Sequence, residues 1–370
     1  MKTQPLYIFA GGGSGGHLYP GLAVANALQA MQVDARILFL CTQRQIDADI
    51  LGNSGFEYKC QPVIPVPRKP FLWPDFLKRW NQSKKITRQL IEQNNVKAIL
   101  GLGGFASGAA LGVAAKCNIS AAMLNPDAVP GKANKHCAKY VQQIFLQWPY
   151  TADYFGKYQS RCIVTGCPIR DGFARKDDTK TSIDIEPNKK LLLIVGGSLG
   201  GRTLNNAVAT MFKTNHQLMS NDWQILHITG NNDYQEIVQT YKDNNLAIKV
   251  VNYVSDMDKI LPHVDLAIGR AGASTVAELT ACSVPAILLP YPFHKDNHQT
   301  LNAQVATDCG AMQIVTDTKD QNKTAIALAQ ALMEAMEPEN LTQMTQASSK
   351  LAKPDAAYTI AQKLIERSNN

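Results

Sequence analysis

The chain has no cysteine pair at CxxC spacing and no cluster of cysteine and histidine at metal-ligand spacing; its eight cysteines, at 41, 60, 117, 137, 162, 167, 282 and 309, stand apart. That excludes a zinc-ribbon or disulfide-framed domain and predicts a reducing compartment where thiols serve as small core residues. No window approaches the roughly 18 uninterrupted apolar residues of a membrane-spanning helix. The opening MKTQPLYIFA lacks the apolar run and small-residue cleavage site of a secretory signal. Any membrane contact is therefore expected to be peripheral. Charged residues are few, 18% against 45% hydrophobic, and the 25 glycines and 18 prolines follow no fixed period, so disordered and fibrous classes are excluded.

A length of 370 residues suits two domains. The net charge of +7 is unevenly held: residues 1–170 carry 19 Lys/Arg against 8 Asp/Glu, whereas 171–370 carry 18 against 22. A basic first half fits nucleic acid, an anionic membrane or an acidic substrate. Its densest part interleaves Arg68, Lys69, Lys78, Arg79, Lys84, Lys85 and Arg88 with Phe71, Leu72, Trp73, Phe76, Leu77 and Trp80. Phe76, Leu77, Trp80, Leu90 and Ile91 have core-helix spacing, and Pro74 suits a helix start. Core packing and membrane docking both remain open for these aromatics.

Four segments repeat one plan, an apolar run, a glycine-rich turn and a helix-like stretch: LYIFA-GGGSGGH-LYPGLAVANALQAM, KAILG-LGGFAS-GAALGVAAK, KLLLIV-GGSLGGR-TLNNAVATMF and VDLAIG-RAGAS-TVAELTAC. Strand, loop and helix in alternation predict parallel sheets with crossover helices, an α/β fold. The apolar runs are continuous, as strands buried on both faces are. The polar stretch before Leu191 reads as a connection. Residues 1–170 are thus expected to form one doubly wound domain, 171–190 a linker, 191–353 a second doubly wound domain, and 354–370 a terminal helix that could cap either.

Gly11, Gly13 and Gly16 satisfy GxGxxG after a strand, but a dinucleotide site also needs an acid at the end of the next strand, about 20 residues on. That strand ends Cys41-Thr42-Gln43, which weighs against an NAD(P) oxidoreductase. GGSLGGRT offers Arg202 where a P-loop has lysine, which weighs against an NTPase. Either the first loop is a tight turn, or its amides face a phosphate or developing anion at a helix N-terminus. His17 follows at once. The positive end of the helix dipole favours its neutral form, which makes it a candidate general base.

In the second half Ser198 of GGSLGG can donate to a phosphate oxygen. Arg270 opens RAGAS, and Glu278 falls on the following helix, placed either to bind ribose hydroxyls or to face solvent. His294 and His298 stand four apart with Asp296 between them, which is little support for a metal site. Two phosphate-type loops at the carboxyl ends of parallel strands imply a cleft between domains, with a nucleotide donor on one wall and an acceptor near His17 on the other.

The blocks GGGSGGHLYPGLAVANAL, TGCPIRDGF, VGGSLGGRTLN and GRAGASTVAELTACSVPAILLPYPFHKDNHQTLNA together resemble the MurG family of glycosyltransferases, over nearly the whole chain. The resemblance implies a GT-B fold and inverting transfer of N-acetylglucosamine from its UDP donor to lipid I, undecaprenyl-pyrophosphoryl-N-acetylmuramoyl-pentapeptide, to form lipid II in peptidoglycan synthesis. It also implies no metal, no other cofactor, no nucleic-acid partner, and a peripheral place on the cytoplasmic face of the bacterial plasma membrane. By motif, Ser14, Gly15, Gly16, Gly104 and Asp127 would serve the acceptor, with His17 catalytic. Arg170 and Ser198 would contact the donor diphosphate, Tyr253 and Val254 the uracil, and Arg270, Ser274 and Thr275 the nucleotide and diphosphate. Glu278 would bind ribose, and Asp127, His298 and Gln299 the phosphate and sugar. Arg68, Lys69, Trp73, Lys78, Arg79, Lys84 and Lys85 would meet the anionic bilayer. Three positions depart from the family pattern: Asp127 replaces the asparagine of HEQN, Phe105 the tyrosine of GGY, and Cys167 the asparagine of TGNP.

Two other readings stay open. A nucleotide-sugar epimerase of the same architecture would use carboxylates and need no lipid acceptor, and a non-catalytic nucleotide-sugar-binding protein would bind the donor without turnover.

Overall fold

The computed structural model describes residues 4–174, 181–197, 200–218, 221–293 and 297–368. The chain divides into two compact units, one formed by Met1–Arg170 with Asp355–Asn370 and the other by Asp171–Pro354.

The first unit contains β1 (Pro5–Ala10), β2 (Arg36–Cys41), β3 (Glu57–Cys60), β4 (Asn95–Gly101), β5 (Ser120–Asn125), β6 (Gln143–Leu146) and β7 (Cys162–Val164). They form one parallel sheet in the order β3-β2-β1-β4-β5-β6-β7. The second contains β8 (Lys190–Val195), β9 (Trp223–Ile228), β10 (Lys249–Val251), β11 (Leu266–Gly269), β12 (Ala286–Leu288) and β13 (Met312–Ile314), parallel in the order β10-β9-β8-β11-β12-β13. Leu6 to Ala10 and Leu191 to Ile194 are fully buried, as strands with helices over both faces of a parallel sheet are. These are two Rossmann-like domains, and the architecture is GT-B.

Each sheet reverses its order once, between β1 and β4 and between β8 and β11. Helices leave such a point toward opposite faces, so the loops diverge and open a crevice above the strand ends. The register makes the two reversals equivalent: Ala10 pairs with Gly101 and Val195 with Gly269. All four repeated glycine turns therefore begin at these two places, two in each domain.

The terminal helix Ala356–Ser368 caps the first unit. Ile360, Ala361 and Leu364 pack with Tyr7, Phe9, Leu22 and Leu28, and the Tyr7 hydroxyl lies 3.0 Å from both Gln32 Oε1 and Ser368 Oγ. The stretch read as a linker belongs, in its described parts, to the second unit. Phe173 is buried there and its carbonyl accepts from Cys282 Sγ, while Lys249 Nζ donates to the Asp184 carbonyl.

Candidate functional site

At the first reversal, Gly12 and Gly13 turn with φ of 144° and 88°, and helix Gly15–Met31 starts without a side-chain cap. Ser14, the N-cap residue, places its Oγ 3.1 Å from His17 Nδ1 instead. Gly15 is buried beside the Tyr19 ring, whereas Gly16 is exposed with open space at its Cα. Pro20 lies in the helix and has no N–H to return to the Gly16 carbonyl.

His17 lies on the turn that follows β4. A Cβ at Gly103 would sit 3.2 Å from its Cδ2, and one at Gly104 3.1 Å from its Cε1. Both glycines have positive φ, 100° and 70°, so backbone conformation and close approach select glycine together. Asn134 holds this turn by accepting from the Gly104 amide at 3.1 Å. Its Nδ2 donates to the Leu124 carbonyl and to Asn125 Oδ1, and Asn125 donates to the Asp127 carbonyl. The imidazole's pKa is lowered, chiefly by burial; the charges of Asp127 and Asp47 and a hydrogen bond with the Gly12 backbone pull the other way. The neutral ring expected from the helix dipole is thus favoured mainly by burial.

The structure thus gathers Ser14, Gly16, His17, Gly104 and the Asp127 charge around one point. Arg170, assigned to the donor, is the last residue of the first unit and sets its guanidinium over Tyr19 at 5.8 Å. Phe105 packs beside Val63, Ala106, Ala109 and Trp80, with Arg44 over its face at 5.8 Å.

Sequence reasoning missed Asp47. It lies four residues past Gln43, is fully buried and accepts from the Gly13 amide at 2.7 Å, the Thr42 amide at 2.9 Å and the Thr42 hydroxyl at 2.7 Å. No spacing rule would have found it, since its role depends on a loop 34 residues away.

At the second reversal, Gly196, Gly197, Gly200 and Gly201 bring the chain to helix Arg202–Thr214, which also starts without a side-chain cap. Gly200 has φ 79°, and a Cβ there would lie 2.4 Å from the Thr229 carbonyl. Ser198 lies outside the described residues. Arg202 is largely exposed and pairs with Glu236 at 3.4 Å, so it does not act as a P-loop lysine would.

Arg270, expected to border the nucleotide and diphosphate, is buried and bonded within the protein. Its Nη1 donates to the Leu289 carbonyl and Asp317 Oδ2, both at 2.9 Å, and its Nη2 to Thr203 Oγ1 at 2.6 Å. Burial lowers its pKa while Asp317 opposes that shift. Most of this guanidinium is committed to tying β11, helix Arg202–Thr214 and the Asp317 loop together. Its buried Nε has no partner among the described residues and faces Gly201, where a Cβ would lie 3.5 Å away.

Ser274, Thr275 and Glu278 are half-buried on helix Ala273–Ala281, so Glu278 is not simply a solvent-facing residue. Tyr253 is exposed and Val254 half-buried after β10. His298 and Gln299 open helix His298–Asp308, and Gln299 Oε1 accepts from the Tyr291 amide at 2.8 Å. His294 and Asp296, weighed for a metal site, lie outside the described residues. The described donor candidates of the second unit thus follow the carboxyl ends of β10, β11 and β12.

Helix Trp73–Gln93 divides the aromatic stretch. Phe76 is buried and stacks on Trp80 at 5.7 Å, while Leu90 and Ile91 pack on the first sheet's core. Leu77, which has core spacing, is instead 50% exposed, and Phe71, Leu72 and Trp73 are exposed beside it. Arg68, Lys69, Lys78 and Lys85 are exposed, and Arg79 and Lys84 half-buried; Arg79 pairs with Asp75 at 2.7 Å.

The chain resembles known proteins in sequence and in fold. The family model for the glycosyltransferase family 28 N-terminal domain matches residues 7–146, and that for the family 28 C-terminal domain matches residues 191–360. A protein of Desulfitobacterium hafniense named "UDP-N-acetylglucosamine--N-acetylmuramyl-(pentapeptide) pyrophosphoryl-undecaprenol N-acetylglucosamine transferase" is 32% identical over 363 residues, covering 95% of this chain and 96% of its own. A Thermodesulfovibrio yellowstonii protein of the same name is also 32% identical, covering 97% and 99%. The crystal structure of Acinetobacter baumannii MurG superposes with a TM-score of 0.75 at 26% identity, covering 98% of this chain and 99% of that one.

Proposed function

The chain belongs to glycosyltransferase family 28, and on that premise we propose that it transfers N-acetylglucosamine from UDP-N-acetylglucosamine to the C4 hydroxyl of lipid I, forming lipid II. The observation that carries this reading is the half-buried imidazole of His17, laid on bare glycine backbone at the reversal of the first sheet. It occurs in a chain that matches transferases of that name almost end to end. Burial keeps the ring neutral near pH 7, the state that can take a proton from an attacking hydroxyl.

The reaction is a single displacement. His17 removes the acceptor proton, the freed oxygen attacks the anomeric carbon opposite UDP, and the α-linked sugar becomes β-linked. Gly16, exposed with open space at its Cα, leaves backbone room for the acceptor pyrophosphate, and Arg170 would contact the donor diphosphate. The departing UDP gains negative charge. The amides opening helices Arg202–Thr214 and Ala273–Ala281 meet it with no side-chain cap competing for them, and such preorganised donors act strongly where water is excluded. Ser198, Ser274 and Thr275 add hydroxyls, Glu278 accepts from the ribose, and Tyr253 and Val254 border the uracil. Gln299, its Oε1 held by Tyr291, offers Nε2 to the sugar hydroxyls together with His298.

The first domain rests on an anionic bilayer through Phe71, Leu72, Trp73 and Leu77, ringed by Arg68, Lys69, Lys78, Arg79, Lys84 and Lys85. Each near-surface cation contributes about 1 kcal/mol there. No helix among the described residues is long and apolar enough to cross a membrane. This docking would hold the enzyme peripherally, on the cytoplasmic face of the plasma membrane. Replacing Lys78, Arg79, Lys84 and Lys85 with glutamate is expected to abolish binding to phosphatidylglycerol vesicles and spare UDP binding; unchanged vesicle binding refutes the docking.

The test of function is transfer of labelled N-acetylglucosamine to a lipid I analogue, with and without a chelator. Equal product in both is the expected result. UDP-N-acetylglucosamine incubated alone should yield no epimer; an epimer would establish the epimerase reading, and tight UDP binding without any product the non-catalytic one.

A further inference from the structure

Beside the candidate base lies a carboxylate with no assigned role. Asp47 is the third residue of helix Gln45–Gly52, and its carboxylate reaches back past the N-cap residue, Arg44, to the Thr42 amide and hydroxyl. A local tie alone would end there, but Oδ1 also takes the Gly13 amide from a different loop. Gly12 is pressed so closely that a Cβ would fall 2.2 Å from Oδ2. Arg44 completes the clamp, its Nη1 donating to the Gly13 carbonyl at 3.0 Å. Thus both polar groups of Gly13 are held from the β2 side, one residue before Ser14 and four before His17.

Resting on the transferase reading above, we propose that Asp47 is a positioning residue for the reaction: it locks the Gly12–Gly13 turn and so sets where His17 meets the acceptor hydroxyl. Its buried charge also acts on the ring directly. The charged groups facing His17 or its loop are Asp47, Asp127 and Arg44, and both carboxylates favour the protonated imidazole against the larger effect of burial. Asp47 therefore serves the base in geometry and in proton affinity without touching substrate.

The experiment compares wild type with Asp47→Asn, nearly equal in size but uncharged and able to accept from fewer donors. Turnover is expected to fall about tenfold or more, as loss of a charged hydrogen bond implies, with KM for UDP-N-acetylglucosamine unchanged. Removing a negative charge disfavours the imidazolium. The ascending limb of kcat/KM and the His17 ring titration followed by NMR should therefore move to lower pH, by about half a unit or more. An unchanged His17 titration in folded Asp47→Asn overturns the inference. If that variant fails to fold, Thr42→Val serves instead. It removes one donor and keeps the charge, so kcat should fall about threefold with the titration in place; full kcat there refutes the clamp. Should wild type make no lipid II, the function fails while the NMR titration still reads the Asp47–His17 coupling.

Discussion

At the reversal between β1 and β4 the protein lays an imidazole on bare glycine backbone; at the reversal between β8 and β11 it sets a buried guanidinium and carboxylate behind glycine turns. The strand order leading to both places is the same, so topology supplies a crevice and nothing more. What differs is where the ion-pairing capacity goes. In the first domain the charges of Asp47 and Asp127 act on a titratable ring. In the second, Arg270 and Asp317 neutralise each other, with side chains 7% and 1% exposed. A buried pair of this kind adds little net stability but strongly penalises loss of one partner, which suits loops that must hold amides still for an anion. The histidines differ likewise. His17 is half-buried at a loop, while His227 is fully buried between Tyr241 and Asn205, where burial pushes its pKa down to about 3.

If the domains divide the chemistry in this way, substitutions at the two reversals should fail differently. His17→Ala should cost about 10² to 10⁴ in turnover, the range of a general base, with calorimetric UDP affinity intact; near-normal turnover would remove the base from the first domain. Arg270→Ala should instead cost about 3–5 kcal/mol of stability in denaturant unfolding. The double variant Arg270→Met with Asp317→Leu should recover much of that loss, since it leaves no unpaired charge. Gly104→Ala should cost about 1–3 kcal/mol for left-handed backbone and also lower kcat, because the new methyl meets His17 Cε1 at 3.1 Å. A kcat unchanged after correction for folded fraction would separate the ring from that turn.

A further difference between the two histidines concerns pH. His227 stays neutral in the folded chain down to about 3, whereas the unfolded chain takes up the proton near 6.5. Its contribution is fully present above about pH 6.5 and is lost as pH falls from there toward 3, by up to about 1.4 kcal/mol per unit. His227→Gln should flatten that slope in urea unfolding at pH 4 to 7, while His17→Ala should leave most of it.

Much of the fold was legible because its signals are local. Continuous apolar runs mark strands covered on both faces, and glycine turns between run and helix mark the strand ends. The two halves follow from their repetition. His17 was legible for the same reason, standing directly after GGGSGG. Arg270 was legible as a residue of the loop but not in its use, because Asp317 and Thr203 lie 47 and 67 positions away. The aromatic stretch shows the same limit: helical spacing marked Phe76 and Leu77 alike for the core, yet only Phe76 meets one, packed between Trp73 and Trp80.

By itself, then, the sequence determined the two α/β domains, the glycine turns at their strand ends, the uneven charge and the place of His17 directly after a glycine loop. Each depends on neighbours within a few positions or on composition. Only the tertiary structure decided which polar groups spend their hydrogen bonds inside the protein and which remain for a ligand. That choice sent Asp47 to Gly13, Arg270 to Asp317 and the terminal helix back onto the first domain, because burial and partnership are set by residues far apart in the chain.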